Sequence, residues 1–305
     1  MAAPFPSTTI VGSADEAYAA PACVALLSAA TAVPEPLPCL FLDCGCSEQT
    51  LARMRRAFER WSVPLRIEPV EEALADLHTE AYVSRATYGS LLAAGLVGDH
   101  SERTLFLDCD TVTLGNIAPL LASELHGRTI GAVQDARLRY VSGEMGVPDW
   151  RERGLPPALA YFNAGVLLID NLRWREQEVA DRALELLRDR PGAFPIVEQG
   201  VLNAILAGDW WPLDRRWNHA PAPALAIRVG ERLLTRRTME QFAPPAIVHF
   251  VDRFKPWHDD YPSSYFRRAY VQAAARFATE FPQPPRWNAL RWAASRRRMM
   301  RAWRA

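Results

Sequence analysis

Leu105-Phe106-Leu107-Asp108-Cys109-Asp110 is the stretch that decides how this chain is read. An apolar run ends in two acids two residues apart. In extended backbone, residues i and i+2 point the same way, so both carboxylates can face one cation. Hard oxygen donors of this kind suit Mg²⁺ or Mn²⁺. The same pattern also arises where a strand simply ends in an aspartate-capped turn. The pair therefore needs support from the rest of the chain.

Outward from this run, strand-like and helix-like patterns alternate. Short apolar runs at Thr8–Val11, Cys39–Leu42, Leu65–Val70, Thr104–Leu107, Ile130–Val133 and Gly165–Ile169 read as strands. Helical periodicity covers about Ala17–Ala30, Glu48–Trp61, Ala73–Leu96 and Arg175–Arg190, with a shorter helix at Gly200–Ala207. This alternation predicts an α/β domain with a largely parallel central sheet. Such sheets bind ligands at the carboxyl ends of their strands, which is where Asp108 and Asp110 fall. Ala220–Arg237 reads as an irregular loop and Ala246–Val251 as a late strand.

Four further segments carry polar groups at strand or helix ends. His249-Phe250-Val251-Asp252-Arg253-Phe254-Lys255-Pro256-Trp257 places a histidine at the end of an apolar strand, six residues before a lysine. An imidazole added to two carboxylates moves metal preference from Mg²⁺ towards Mn²⁺. Lys255 could meet phosphates held by the same metal. A lone histidine at a strand end can equally be structural. Tyr161-Phe162-Asn163-Ala164-Gly165 opens a buried strand with an amide near the sheet's binding edge, or is an ordinary turn. Glu198-Gln199-Gly200-Val201-Leu202-Asn203 and Ser13-Ala14-Asp15-Glu16-Ala17-Tyr18 place polar groups at helix starts, where they could also serve as N-caps.

Composition narrows the class. A chain of 305 residues that is 49% hydrophobic can bury a large core. Its zero formal charge gives no global pointer to nucleic acid. Thirty-four of the 35 basic residues are arginine, which codon bias alone can explain; bias does not explain why Lys255 stays the one lysine, where a compact ammonium could be needed. Cys23, Cys39, Cys44, Cys46 and Cys109 are odd in number and lack metal-site or disulfide spacing, as expected of free thiols in a reducing compartment. The start of the chain lacks the basic and apolar regions of a signal peptide, and Ala17–Val33 is interrupted by Pro21. A cytoplasmic protein is expected. Neither a G-x-G-x-x-G fingerprint nor a P-loop is present.

Taken in order, these segments resemble glycosyltransferase family 8, and bacterial galactosyl- and glucosyltransferases of lipopolysaccharide core assembly in particular. The resemblance implies an α/β GT-A fold over residues 1–260, followed by a helical, basic, tryptophan-rich extension over 261–305. It implies a retaining transfer of galactose or glucose from UDP-galactose or UDP-glucose, with Mn²⁺ or alternatively Mg²⁺. Asp108, Asp110 and His249 would hold the metal, with Cys109 beside the nucleotide. Lys255 would bind the diphosphate. Ala14, Asp15 and Tyr18 would line the uridine. Asn163, Ala164, Glu198 and Asp135 would contact the donor sugar, and Gln199 would lie next to its anomeric carbon. The acceptor would be a glycan, free or lipid-linked, and not a nucleic acid.

Several positions depart from the family pattern. Ala17 stands for an asparagine, Ser90 for an arginine, Gly200 for an aspartate, and Asp252 for a glycine. The alternative they leave open is a non-catalytic nucleotide-sugar-binding protein. Residues Arg286 to Arg304 hold seven arginines, three tryptophans and no acid. That composition fits a helix on an anionic membrane surface, at the inner face of the cytoplasmic membrane, or else a solvated basic end.

Overall fold

Nine strands and eight helices occur among the described residues, which are 5–79, 84–221, 244–251, 254–261 and 264–286 of a computed structural model. The strands are Thr8–Ala14 (β1), Cys39–Asp43 (β2), Leu65–Pro69 (β3), Arg103–Leu107 (β4), Thr111–Thr113 (β5), Ile130–Gln134 (β6), Phe162–Asp170 (β7), Trp210–Pro212 (β8) and Ile247–His249 (β9). The helices are Ala19–Ala30 (α1), Glu48–Arg60 (α2), Gly89–Leu96 (α3), Ala118–Leu121 (α4), Asn171–Glu176 (α5), Val179–Asp189 (α6), Val197–Ile205 (α7) and Tyr265–Phe277 (α8).

The central sheet has seven strands in the order β3-β2-β1-β4-β7-β6-β8. It is mostly parallel, as the alternation predicts. Only β7 runs against its neighbours β4 and β6. Because β7 reverses direction, its first residues lie at the same edge as the last residues of β1, β4, β6 and β8. That shared edge is where functional groups gather. A separate ribbon pairs β5 with β9.

Side chains alternate between two cores because both faces of the sheet are covered. Ile10, Phe41, Leu105 and Leu107 face α1 and α8. Val11, Leu40, Leu42 and Phe106 face α3, α6 and α7. Helix α1 is buried on nearly every side, which accounts for its run of small and apolar residues. Helix α8 contributes Phe266, Tyr270, Ala274 and Phe277 to the same core as α1.

Two long helices expected from periodicity are broken. Over Ala73–Leu96 the chain forms separate short turns at Glu72–Leu74 and Arg85–Tyr88 before α3 begins. The Tyr88 hydroxyl donates to the His78 carbonyl ten residues back. A continuous helix would hold those residues roughly 15 Å apart. Over Arg175–Arg190 the chain divides into α5 and α6 at Glu178, whose φ is 51°. Trp174 and Val179 are both fully buried. On one helix they would point roughly 140° apart, so the helix restarts to bury both. The loop expected over Ala220–Arg237 lies mainly outside the described residues, as do Asp252, Arg253 and the basic tail after Arg286.

Candidate active site

Strand β4 stops at Leu107, so Asp108 and Asp110 occupy the turn into β5 rather than extended backbone. The turn closes when the Thr111 amide and hydroxyl both donate to the Asp108 carbonyl. The two carboxylates converge all the same. Register then brings in the histidine: His249 on β9 pairs with Thr111 on β5. Its Nε2 lies 3.1 Å from Asp110 Oδ1 and 3.4 Å from Asp108 Oδ2. Ligand atoms of all three residues lie within 4.8 Å of one another.

These residues fit a divalent cation on two counts. Asp110 Oδ1 is buried without a well-formed hydrogen bond, an arrangement that is costly unless a cation meets it. Gly165, on the neighbouring β7, keeps the space clear. A Cβ there would sit 2.1 Å from the His249 ring and 2.6 Å from Asp108 Oδ2. Burial would push the imidazole down, but the Asp110 and Asp108 carboxylates outweigh it and hold His249 above its ordinary value. Burial in the cleft pushes Asp108 up to about 6, against the pull of His249. Asp110 stays well below the usual carboxylate range, because His249 and Lys255 overcome its burial. Lys255, the one lysine, is buried and donates to Asp110 Oδ2 at 2.5 Å and to the Phe250 carbonyl at 2.8 Å.

A chain of side-chain amides ties this cluster to the next. His249 Nδ1 lies 3.0 Å from Asn218 Oδ1. With Nδ1–H donating to that oxygen, Nε2 would be left to offer its lone pair to a cation held with the two acids. Asn218 Nδ2 donates to Asn163 Oδ1 at 2.8 Å, and Asn163 Nδ2 donates to Asp135 Oδ2 at 3.0 Å. Gln199 Nε2 reaches the same Asp135 oxygen at 3.3 Å, while its Oε1 accepts from the Ala164 amide at 3.0 Å. Asn203, one turn along α7, donates to the Gln199 carbonyl and bonds both backbone groups of Phe162.

Asn218 escaped the sequence reading, and Asn203 entered it only as the last residue of the polar segment Glu198–Asn203, with no role given. Asn203 had a faint signal, standing four residues after Gln199 on one helix face. Asn218 had none, because it sits in a short connection whose partner is 31 residues away. Replacing Asn218 by alanine should lower divalent-cation affinity about 10- to 100-fold, the usual effect of losing the group that orients a ligand histidine. Mn²⁺ titration followed by tryptophan fluorescence would measure it, and unchanged affinity would deny Asn218 that role.

The remaining expected residues fall around this centre. Ala14 ends β1, and Asp15 follows it, with Oδ1 accepting from the Ala17 and Tyr18 amides as the cap of a short turn. Tyr18 packs edge-on against Trp257 at 5.6 Å. Cys109, between the two acids, is half-buried, and burial with Asp110 and Asp108 beside it pushes its thiol well up. All five cysteines are free. Glu198 opens α7 and shares the cleft with Asp108, and burial and that carboxylate push it up to about 8. Ser90 is buried, and Arg85 is bound to Glu71 and the Ala75 carbonyl. At Gly200 the Phe194 ring takes the space of a side chain, since an added Cβ would meet it at 3.0 Å. Asp108, Asp110, Asp135, Asn163, Glu198, Gln199 and His249 all line one cleft of about 910 Å³.

Comparison with known proteins bears on this cleft. The model of the family described as Glycosyl transferase family 8 matches residues 9–261. General stress protein A of Bacillus subtilis is 28% identical over 74% of this chain and 79% of its own length. Lipopolysaccharide 1,2-glucosyltransferase of Escherichia coli is 29% identical over 61% of this chain, which spans 54% of that protein. Lipopolysaccharide 1,3-galactosyltransferase of Salmonella typhimurium is 28% identical over 65% of this chain and 58% of its own length. Among solved structures, the galactosyltransferase LgtC in complex with donor and acceptor sugar analogues superposes with a TM-score of 0.73 at 26% identity, covering 90% of this chain and 97% of that one.

Proposed function

The chain belongs to glycosyltransferase family 8, and on that premise we propose that it is a retaining hexosyltransferase. It moves galactose or glucose from a UDP-sugar to a glycan acceptor of lipopolysaccharide or other cell-surface glycan synthesis. The observation that carries this reading is the meeting of Asp108, Asp110, His249 and Lys255 at the carboxyl edge of the sheet.

Strand order supports the layout of a nucleotide sugar along that edge. Reading across, β1 brings Asp15 and Tyr18, β4 brings Asp108 and Asp110, β7 brings Asn163, and β6 brings Asp135. At about 4.8 Å per strand, β1 to β6 spans roughly 14 Å. Uridine lies on the β1 side against Tyr18, the diphosphate at the acids and Lys255, and the sugar against Asn163, Ala164, Asp135 and Glu198. Two carboxylates and an imidazole favour Mn²⁺ over Mg²⁺, and the bound ion supplies positive charge to the diphosphate. Lys255 adds a buried ammonium aimed at the charge that grows on departing UDP, which stabilises the transition state more than the ground state. Burial and the Asp108 carboxylate favour the protonated form of Glu198, in which it can donate to a sugar hydroxyl as well as accept from one.

Gln199 is neutral, and both ends of its amide are engaged. It is no nucleophile for a double displacement. Retention then follows from attack on the face that UDP leaves, with the leaving phosphate taking the acceptor's proton. A covalent sugar adduct on Glu198 or Asp135, found by mass spectrometry with a slow donor, would overturn this step.

The deciding experiment is UDP release from a panel of UDP-sugars with and without Mn²⁺. Slow Mn²⁺-dependent hydrolysis of one donor is the expected result and identifies the sugar. Metal-dependent UDP binding without turnover, even with glycan acceptors added, would favour the non-catalytic binding protein. Absence of UDP binding would remove the nucleotide-sugar reading altogether.

Among the described residues no helix is long and apolar enough to cross a membrane. We assign membrane contact to the arginine- and tryptophan-rich stretch after Pro285. Truncation there should release the protein from anionic vesicles in a sedimentation assay, and unchanged binding would rule the stretch out as the anchor.

A further inference from the structure

Helix α8 buries Phe266, Arg267, Tyr270, Ala273, Ala274 and Phe277. Arg267 is the one charged side chain in that set, and it is 6% exposed. A guanidinium in such a place is costly unless it makes hydrogen bonds. Burial pushes it down from its ordinary value, against the pull of Asp259. Its backbone is fixed at the start of the helix, where the Arg267 amide donates to Ser264 Oγ at 2.9 Å.

Two backbone carbonyls meet the guanidinium. Arg267 Nη2 donates to the Pro285 carbonyl at 3.0 Å and to the His258 carbonyl at 3.4 Å. Pro285 lies at the root of the arginine- and tryptophan-rich stretch. His258 closes the turn that begins at Lys255, because its amide donates to the Lys255 carbonyl at 3.0 Å. One nitrogen therefore ties the lysine turn to the chain that leaves α8.

The same helix face supports the rest of that turn. Tyr270 stands three positions after Arg267, close to one helical turn. Its ring centre lies 5.4 Å from that of Trp257 and 5.7 Å from that of Phe250. Trp257 in turn meets Tyr18 at 5.6 Å, and the Phe250 carbonyl accepts from Lys255 Nζ. Ring packing at Trp257 tolerates small slides. The bond to the His258 carbonyl is directional and fixes where the turn sits.

We propose that Arg267 is a positioning residue for the transfer: by bridging the His258 and Pro285 carbonyls it sets the reach of Lys255 to the diphosphate, and it makes the chain up to Pro285 a support of the nucleotide site. This rests on the glycosyltransferase reading above, which gives Lys255 its diphosphate. A lysine displaced by about 1 Å still binds UDP but meets the growing charge poorly, and misplacement of that size can cost about 10²-fold in rate.

The test is a double-substitution cycle on Mn²⁺-dependent UDP-sugar hydrolysis. Arg267→Ala should lower kcat about 10- to 100-fold, with a smaller change in UDP affinity. In a Lys255→Ala background the same substitution should cost about twofold or less, because the group it positions is gone. Arg267→Lys keeps the charge and a donor, and should lose less than alanine does. A chain ending at Gln283 lacks the Pro285 acceptor and should match Arg267→Ala, whereas one ending at Arg286 keeps it and should hold the wild-type kcat. Losses that multiply in the cycle, a full kcat in Arg267→Ala, or equal kcat in the two shortened chains overturns the proposal. If Arg267→Ala does not fold, Arg267→Lys and the chain ending at Gln283 enter the cycle in its place. If no donor is hydrolysed, the cycle is read on UDP affinity with Mn²⁺, to which Lys255 also contributes, with the same outcomes. Failure of UDP itself to bind with Mn²⁺ would instead count against the underlying enzyme reading.

Discussion

Asp110→Ala is expected to abolish Mn²⁺-dependent UDP-sugar hydrolysis, with a loss on the order of 10³-fold or more, from the several kcal/mol that metal-assisted charge stabilisation supplies. Among the described residues Asp110 meets both His249 and Lys255. One oxygen lies 3.1 Å from His249 Nε2 and the other accepts from Lys255 at 2.5 Å. Removing the carboxylate takes away a metal donor and leaves a buried ammonium beside a histidine that no longer has its main counter-charge. UDP affinity should lose its dependence on Mn²⁺ in the same variant. Asp110→Asn keeps the shape and removes the charge, so it should follow the alanine variant in activity while folding like the wild type. Calorimetric titration of UDP with and without Mn²⁺ reads the binding half. Wild-type metal dependence in both variants would place the cation elsewhere.

Lys255→Ala should lower kcat by about 10²- to 10³-fold, the usual cost of removing one preorganised donor aimed at developing charge. The effect should fall on kcat more than on UDP affinity, because leaving-group charge is greatest in the transition state. Arginine should rescue poorly. The ammonium fits between Asp110 Oδ2 and the Phe250 carbonyl, a buried site shaped for a point donor and not for a planar fork. A variant that loses UDP affinity and kcat together would make Lys255 a structural partner of Asp110 only. A variant with wild-type kcat would remove it from the chemistry.

Much of this was legible in the chain itself. An apolar run ending in two acids, a lone lysine six residues after a strand-end histidine, and strand-helix alternation are local patterns, and each survives in the structure. What failed failed for tertiary reasons. Periodicity over Ala73–Leu96 and Arg175–Arg190 is helical throughout, yet both stretches break. Burial of Trp174 with Val179, and the reach of Tyr88 back to His78, outweigh the few tenths of a kcal/mol per residue that helix propensity contributes. The aspartates were read as extended, but they sit in a turn, and their convergence comes from the turn's geometry.

The sequence by itself determined the kind of domain through period and residue type, and it singled out the acids, the histidine and the lysine through the order of their segments, which resembles glycosyltransferase family 8. The meeting of these groups was decided only in three dimensions. β9 had to pair with β5 to bring His249 beside Thr111, and β7 had to reverse to set Asn163 between Asp108 and Asp135. Asn218, which links His249 to Asn163, is visible only once both are in place. Strand order depends on long-range pairing and burial across the whole sheet, and no local pattern encodes it.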